Sequence, residues 1–173
     1  AMKQSCDTYF YEIARKLGVD KLKVTADKFG LGKKVLGEYF ENEKAGQFPD
    51  TRWKINEIGK GWVLGETLIT GIGQGYTQTT PIQLCLMTAQ IANGGYKIKP
   101  KILTDDKQLT SEKVKMAMQT GELNNSDTPL FNNQKNIKII QEAMFSSTNE
   151  LRGTSYNSRI DDPKYQFAGK TGT

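Results

Sequence analysis

The chain has 173 residues, of which 36% are hydrophobic, and it carries a formal net charge of +5 at neutral pH. This length allows one domain with a hydrophobic core. The sequence contains no histidine, which excludes serine–histidine and cysteine–histidine catalysis within the chain and disfavours the usual zinc sites. A nucleophilic mechanism would therefore need a lysine, a carboxylate or a tyrosine as its base.

Charge and cysteine content narrow the function further. The basic residues of the Lys16–Lys34 region are interleaved with aspartates, a pattern typical of a solvated surface and not of a nucleic-acid-binding one. No apolar stretch reaches the roughly 18 residues that a membrane helix needs. Cys6 and Cys85 form no metal-binding or redox motif, so we expect two free thiols.

Two helices are predicted near the N-terminus. The first spans about Thr8 to Leu17, because apolar side chains recur there with helical spacing; Asp7 or Thr8 would cap it and Gly18 would end it. The second spans about Asp20 to Phe29 and stops at a glycine-rich turn. From Lys33 to Thr67 the pattern is irregular, and we expect mostly loop, packed by aromatic rings.

The clearest predicted element is a helix from Pro81 to Asn93. Thr80 and Gln83 form a capping box, proline suits the first helical position, and Gly94-Gly95 supply a left-handed stop. The helix has little polar face, so we expect it to be buried.

The remaining chain predicts two strands and one more helix. Tyr96 to Leu103 alternates as a strand does, and the polar tract from Thr104 to Asn136 is expected to be a loop or an insertion. Gln134 to Ser147 is amphipathic with helical spacing, and Tyr165 to Thr173 is predicted as a terminal strand.

Two glycine-containing segments imitate nucleotide-binding loops but fail on spacing. After Gly71-Ile72-Gly73, the third glycine of a dinucleotide-binding motif would fall on Tyr76, so a glycine-rich turn is expected instead. Before Gly169-Lys170-Thr171, the leading glycine of a phosphate-binding loop would fall on Lys164.

The Lys170–Thr173 segment, with the sequence K-T-G-T, has another meaning on a strand. A glycine between two threonines lets a ligand backbone lie against the strand, while the lysine and the hydroxyls offer hydrogen bonds to a carboxylate or an oxyanion. Ser5-Cys6-Asp7 is weaker evidence alone, since a helix cap explains it. A K-T-G strand and an S-x-N-like turn are nevertheless two of the three marks of penicillin-recognising serine enzymes, whose third mark is S-x-x-K.

The longer context matches as well. The chain resembles the transpeptidase domain of class B penicillin-binding proteins, and among them the elongation type more than the division type. Only the tract from Thr104 to Asn136 lacks a clear counterpart. The matching segments, in the family's order, are 5–11, 71–76, 80–83, 92–95 and 167–173.

This resemblance implies an α+β fold, of which the chain would form the mostly helical lobe with one or a few strands of the antiparallel sheet. It implies a D,D-transpeptidase that cross-links peptidoglycan stem peptides through a serine acyl-enzyme, binds β-lactams, and uses no metal and no organic cofactor. It also implies a protein anchored at the periplasmic face of the bacterial inner membrane, with a glycosyltransferase and other elongation-complex proteins as partners.

The resemblance also assigns roles by position. Ser5 would relay a proton to the leaving amine, and Lys170 would supply positive potential near Ser5 and the substrate carboxylate. Thr171 and Thr173 would bind that carboxylate, the backbone around Thr173 would pair with the substrate, and Gly172 belongs to the same substrate-binding segment. The backbone amide of Thr173 would belong to the oxyanion hole.

Asp7 departs from the family pattern, which has asparagine at this position. An asparagine amide donates and accepts hydrogen bonds, whereas an ionised aspartate only accepts them. Two interpretations stay open. Asp7 faces a cation, either Lys170 or the lysine of S-x-x-K, or it caps the first helix.

The S-x-x-K motif itself is absent, because no serine of the chain is followed by a lysine three positions later. We therefore expect residues 1–173 to be a partial transpeptidase domain, truncated at both ends and inactive alone. Two alternatives remain: a related serine β-lactamase or β-lactam sensor domain, and a non-catalytic interaction module.

Overall fold

The computed structural model describes residues 1–37, 40–100 and 128–172. Single 3-10 turns lie at Met2–Gln4, Tyr156–Ser158 and Pro163–Tyr165. In the described ranges no helix is both long and apolar enough to cross a membrane. The α-helices in these ranges are α1 (Asp7–Leu17), α2 (Val19–Lys28), α3 (Thr51–Ile58), α4 (Leu64–Thr70), α5 (Pro81–Ala92) and α6 (Lys135–Asn149).

Four of these helices confirm the sequence predictions within a few residues: α1, α2, α5 and α6. Gly18 ends α1 with a φ of 78°, and Thr80 and Gln83 form the expected capping box of α5. The predicted cap of α1 was wrong. Asp7 is the first helical residue, and Cys6 precedes it as an N-cap without a side-chain capping bond.

The expected loop between Lys33 and Thr67 contains α3 and part of α4, so that prediction was wrong in its second half. The Asp50 side chain caps α3 by accepting a hydrogen bond from the Trp53 amide at 2.6 Å. The Glu66 carboxylate accepts one from the Val63 amide at 3.0 Å at the start of α4. The two helices have only 8 and 7 residues, too few for a helical period to stand out in the sequence.

The two predicted strands are not formed as such in the described residues. Tyr96 makes an isolated antiparallel bridge with Pro129, and the chain from Lys97 to Pro100 continues without regular pairing. Residues 166–172 likewise pair with no strand within the described ranges. The amide and carbonyl groups of a strand need hydrogen-bond partners on a neighbouring strand. Here side chains of helices bond to some of these groups instead: Gln90 accepts from the Ile98 amide, and Asn149 donates to the Phe167 carbonyl.

The structure separates into two compact units. The first contains residues 1–24, 49–77 and 135–173. In this unit α1 packs on α4, and the buried Ala14 leaves no room for a side chain at Gly71, whose Cβ would lie 2.4 Å from the Ala14 Cβ. The helix α6 packs against the turns Met2–Gln4 and Tyr156–Ser158.

The second unit contains residues 25–48 and 78–134, of which 38–39 and 101–127 lie outside the described ranges. Most of the tract predicted as a loop or an insertion therefore lies outside them as well. The core of the unit is an apolar cluster formed by Ala26, Phe29 and Leu31, with Phe48, Met87, Ile91, Leu130 and Phe131 packed against it.

The helix α5 is only half buried, which corrects the prediction of a wholly buried helix. Its inner face consists of Gln83, Leu86 and Gln90, whereas Leu84 and Cys85 are exposed. The glutamines are buried because their amides bond to backbone groups of neighbouring loops. Both cysteines of the chain are free, as expected.

Candidate functional site

Ser5 occupies a strained position at the start of the first unit. It follows the turn Met2–Gln4 and precedes α1, and its backbone is left-handed, with φ 50° and ψ 53°. Its amide bonds to the Met2 carbonyl, and the Cys6 amide bonds to the Ala1 carbonyl. Non-glycine residues in this conformation cost free energy and are enriched at functional sites.

Lys170 reaches Ser5 from the far end of the chain. Its ammonium group donates to the Ser5 hydroxyl at 2.9 Å, across 165 positions in sequence. It also donates to the Thr171 carbonyl at 2.9 Å and to the Thr171 hydroxyl at 3.2 Å. All three ammonium hydrogens are thereby used. Lys170 forms no ion pair with any carboxylate of the described ranges, so its charge is not neutralised there.

A chain of hydroxyl groups continues from Lys170 into the unit. The Thr171 hydroxyl accepts from Lys170 and donates to the Thr154 hydroxyl at 3.2 Å. The Thr154 hydroxyl in turn contacts the Ser147 hydroxyl at 3.1 Å. Ser147 is fully buried on α6. Thr171 is thus fixed by a buried anchor, although it is itself exposed.

Tight packing holds Thr154 in place. The preceding residue must be glycine, because a Cβ at Gly153 would lie 2.2 Å from the Ser147 carbonyl oxygen. The Thr154 amide donates to the Lys3 carbonyl at 3.1 Å. The Lys3 ammonium forms an ion pair with Glu150 at 2.6 Å, and this bond holds the pKa of the Glu150 carboxyl below its usual value.

The segment before Lys170 is anchored on α6 instead of on a strand. The Asn149 side-chain amide donates to the Phe167 carbonyl at 2.8 Å, and the Gly169 amide donates to the Met144 carbonyl at 3.2 Å. These contacts replace the predicted strand pairing and bring the K-T-G segment to Ser5.

The resulting cavity has a volume of about 360 Å³. The loop after α4, from Gly71 to Gln74, forms part of its wall. The glycine-rich turn expected here is present, but its place at the site was not predicted. The other lining residues are Ser5, Asp7, Phe10, Lys170, Thr171 and Gly172.

Asp7 lines this cavity without a polar partner in the described ranges, neither Lys170 nor any other. It sits in the first turn of α1, where the helix dipole favours a negative charge. Of the interpretations left open by the sequence, only a contact between Asp7 and the lysine of S-x-x-K remains. Asp7 does not cap α1, and it makes no ion pair with Lys170.

The structure thus brings together Ser5, Asp7, Lys170, Thr171 and Gly172, and Thr173 lies outside the described residues. The part played by Thr154 was not predicted from the sequence. A Gly-Thr pair shortly after a predicted amphipathic helix was its only local signal. Taken together, the geometry offers an unneutralised ammonium, a hydroxyl free to donate its own hydrogen, and an acceptor carboxylate around one cavity.

Comparison with known proteins shows to which family the chain belongs. The model of the penicillin binding protein transpeptidase domain matches residues 1–173. The chain belongs to this family. It is 35% identical over its full length to the peptidoglycan D,D-transpeptidase MrdA of Acinetobacter baumannii, covering 24% of that protein. It is 30% identical to MrdA of Escherichia coli K12, covering 26% of it. The chain therefore spans about a quarter of the length of the curated relatives that it matches.

Solved structures agree with this assignment. Pseudomonas aeruginosa PBP2, solved in complex with WCK 5153, is 35% identical with a TM-score of 0.79, and the match covers all of this chain and 37% of that one. Helicobacter pylori PBP2, solved as a complex with MreC, is 30% identical with a TM-score of 0.80, covering all of this chain and 29% of that one. The resemblance to class B penicillin-binding proteins of the PBP2 type and the α+β fold class are confirmed.

Proposed function

We propose that the protein containing this chain is a serine-type peptidoglycan D,D-transpeptidase, and that the chain supplies the proton-relay and carboxylate-binding side of its active site. The observation that carries this proposal is the contact of the Lys170 ammonium with the Ser5 hydroxyl at 2.9 Å. Two residues 165 positions apart meet at a cavity, and the ammonium has no carboxylate partner among the described residues. Membership of the transpeptidase family supports the same reaction class.

Acylation would proceed as follows. The hydroxyl of a serine outside this chain gives its proton to its own base and attacks the carbonyl of the penultimate D-alanine of a stem peptide, and the bond to the terminal D-alanine breaks. The departing amine needs one proton. Because the Ser5 oxygen accepts a hydrogen bond from Lys170, its own hydrogen is free to be given to that amine. Ser5 then regains a proton from the protonated base of the nucleophile.

Lys170, Thr171 and Gly172 would hold the substrate during this step. The ammonium charge attracts the terminal carboxylate, and the exposed Thr171 hydroxyl lies beside it. A Cβ at Gly172 would meet nothing within 4 Å, so this position is open to an approaching peptide backbone. Thr173 would add a second hydroxyl and an oxyanion-hole amide.

Asp7 would act on a partner outside this chain. It lines the cavity and lacks a polar partner in the described residues, and an ionised carboxylate attracts a cation. We propose that this cation is the lysine of the S-x-x-K motif. Acylation rates of the full-length Asp7→Asn protein, measured across pH, test the idea. The acidic limb of the plot of acylation rate against pH is expected to be displaced. A plot of the same shape and position as that of the unchanged protein would contradict the proposal.

The same relatives support a proposal for where the protein acts and what it binds. We propose that it acts at the periplasmic face of the inner membrane through an anchor outside this chain. A cell-shape protein of the kind found with the Helicobacter pylori relative, which was solved with MreC, is the proposed partner, together with a glycosyltransferase.

The deciding experiment is labelling with a fluorescent penicillin, followed by intact-protein mass spectrometry. The full-length protein is expected to take up one equivalent, and the chain of residues 1–173 none. An adduct on a serine of this chain would mean that the nucleophile lies here after all. An unlabelled full-length protein would contradict the proposed function and favour a non-catalytic interaction module.

A further inference from the structure

The second unit contains a cavity of about 550 Å³ that no part of the proposed reaction uses. Its apolar lining comes from Val35, Leu86, Ile98 and Pro100. Among the described residues, its charged lining consists of five lysines and a single acid, Asp27, a net charge of +4. We call it the lysine cavity; its lysines are Lys28, Lys33, Lys34, Lys97 and Lys99.

In the sequence, the first three of these lysines are interleaved with aspartates, a pattern typical of a solvated surface. In the folded chain these lysines instead line one cavity together with the segment Lys97–Pro100. A concave surface lined by one sign of charge over apolar walls concentrates its field and attracts counter-ions.

The walls of the lysine cavity are fixed by the two buried glutamines of α5. The Gln83 amide donates to the Lys33 carbonyl at 2.7 Å and to the Ala45 carbonyl at 2.6 Å. The Gln90 side chain accepts from the Ile98 amide at 3.2 Å and donates to the Phe29 carbonyl at 3.3 Å. Both lysine-bearing segments are therefore held by backbone hydrogen bonds to buried side chains, and the positions of their Cα atoms are preorganised.

The floor is equally restricted. Gly30 has a φ of 86°, which favours glycine, and a Cβ there would lie 3.1 Å from Val35 and 3.3 Å from Leu86. Leu86 is buried beneath the cavity. A side chain at Gly30 would be strained and would press on the cavity lining.

The lysines differ in how far they are already engaged. Lys33 lies 3.5 Å from Asp27, and the Lys34 ammonium donates to the Glu41 carbonyl at 2.9 Å. Lys28 lies over the Phe131 ring, 5.0 Å from its centre. Lys97 and Lys99 are exposed, and their ammonium groups have no partner in the described part of the chain. As far as the described residues go, these two ammonium groups are available to a ligand.

We propose that the lysine cavity is a binding site for a phosphate or diphosphate group. A multiply charged oxyanion neutralises more of the +4 lining than a single carboxylate does. Lysine ammonium groups bind phosphate as point charges, whereas planar carboxylates pair best with arginine, and the described lining contains no arginine. The proposal does not depend on the proposed transpeptidase activity.

Calorimetric titration of the purified chain with inorganic diphosphate tests this site. The double variant K97Q/K99Q is compared with K60Q/K138Q, which removes two exposed lysines of the first unit and leaves the same net charge. Saturable binding to the unchanged chain is expected, weakened about tenfold or more in K97Q/K99Q and less than about twofold in K60Q/K138Q. Circular dichroism checks that both variants remain folded.

A second arm separates two sources of the same chemistry. Co-sedimentation is measured with vesicles of phosphatidylglycerol and phosphatidylcholine in equal parts, with and without competing diphosphate. Vesicle binding that diphosphate displaces assigns a lipid headgroup, and diphosphate binding alone assigns a free phosphorylated ligand. Absence of saturable binding to either probe overturns the site, and so does equal weakening in the two double variants, which would show diffuse attraction to a basic protein.

Discussion

The cavity beside Ser5 and the lysine cavity place charge in different ways. Counting described residues only, the first has one lysine and one aspartate in its lining, and three hydrogen bonds hold this lysine in place. The second has five lysines, and what is held firmly is the backbone that carries them. Chemistry on one bond needs a charge at a defined atom, whereas binding of a polyanion needs only a high local potential. Substitutions in each cavity can test whether catalysis depends on the first arrangement of charge and polyanion binding on the second.

The largest effect is expected from Lys170→Met in the full-length protein. Removing a preorganised cation from the reacting centre should lower the rate of acylation by a fluorescent penicillin about 10²–10³-fold. K97Q/K99Q should leave that rate unchanged. A comparable loss in both variants would mean that positive charge anywhere on the chain promotes acylation, and the distinction between the cavities would fail.

Gly153→Ala should destabilise the first unit by about 1–3 kcal/mol, because its Cβ would collide with the Ser147 carbonyl. Urea unfolding of the purified chain measures this change. Gly61→Ala is the matched control, since a Cβ there meets nothing within 4 Å. Equal stability of the two variants would show that the turn carrying Thr154 yields easily.

Gln90→Leu should cost about 1–3 kcal/mol in the second unit, because it leaves the Ile98 amide and the Phe29 carbonyl without their partner. It should also weaken diphosphate binding while the acylation rate of the full-length protein stays the same. Gln141→Leu on α6 is a comparison substitution outside this unit. Unaltered diphosphate affinity would show that the lysine cavity does not need a fixed wall.

Thr154→Val should lower the acylation rate of the full-length protein about fivefold, which corresponds to about 1 kcal/mol for the lost hydrogen bond to Thr171. The variant keeps the side-chain shape but removes the hydroxyl between Thr171 and Ser147. Thr154→Ser restores the hydroxyl and should recover the rate. If the serine variant were as slow as the valine variant, the methyl group and its packing would be the cause.

The smallest effect concerns pH. Lys3 holds the pKa of Glu150 below its usual value, so the ionised form stabilises the folded state. This contribution is complete above the usual glutamate pKa and is lost as pH falls through the lowered one. The gap in urea midpoint between the unchanged chain and Glu150→Gln should therefore narrow on acidification. A gap that does not change with pH would contradict the role of the Lys3–Glu150 ion pair.

Local signals predicted the fold where they were strong. The capping box at Thr80 and the glycine after Leu17 gave the limits of α5 and α1 within a residue or two. The helices α3 and α4 were not predicted, because they are too short for a helical period of apolar residues to appear in the sequence. The buried glutamines on the inner face of α5 were not predicted for another reason. A buried glutamine is favourable only when backbone partners surround it, and those partners come from distant segments.

The sequence by itself determined the family motifs, the absence of histidine and of S-x-x-K, and most helix limits, because these depend on residues close together in the chain. Only the tertiary structure decided that Lys170 meets Ser5, that Thr154 supports Thr171, and that scattered lysines line one cavity. Such contacts join segments far apart in sequence. Their geometry is set by the packing of α6 in the first unit and of α5 in the second, which no local pattern encodes.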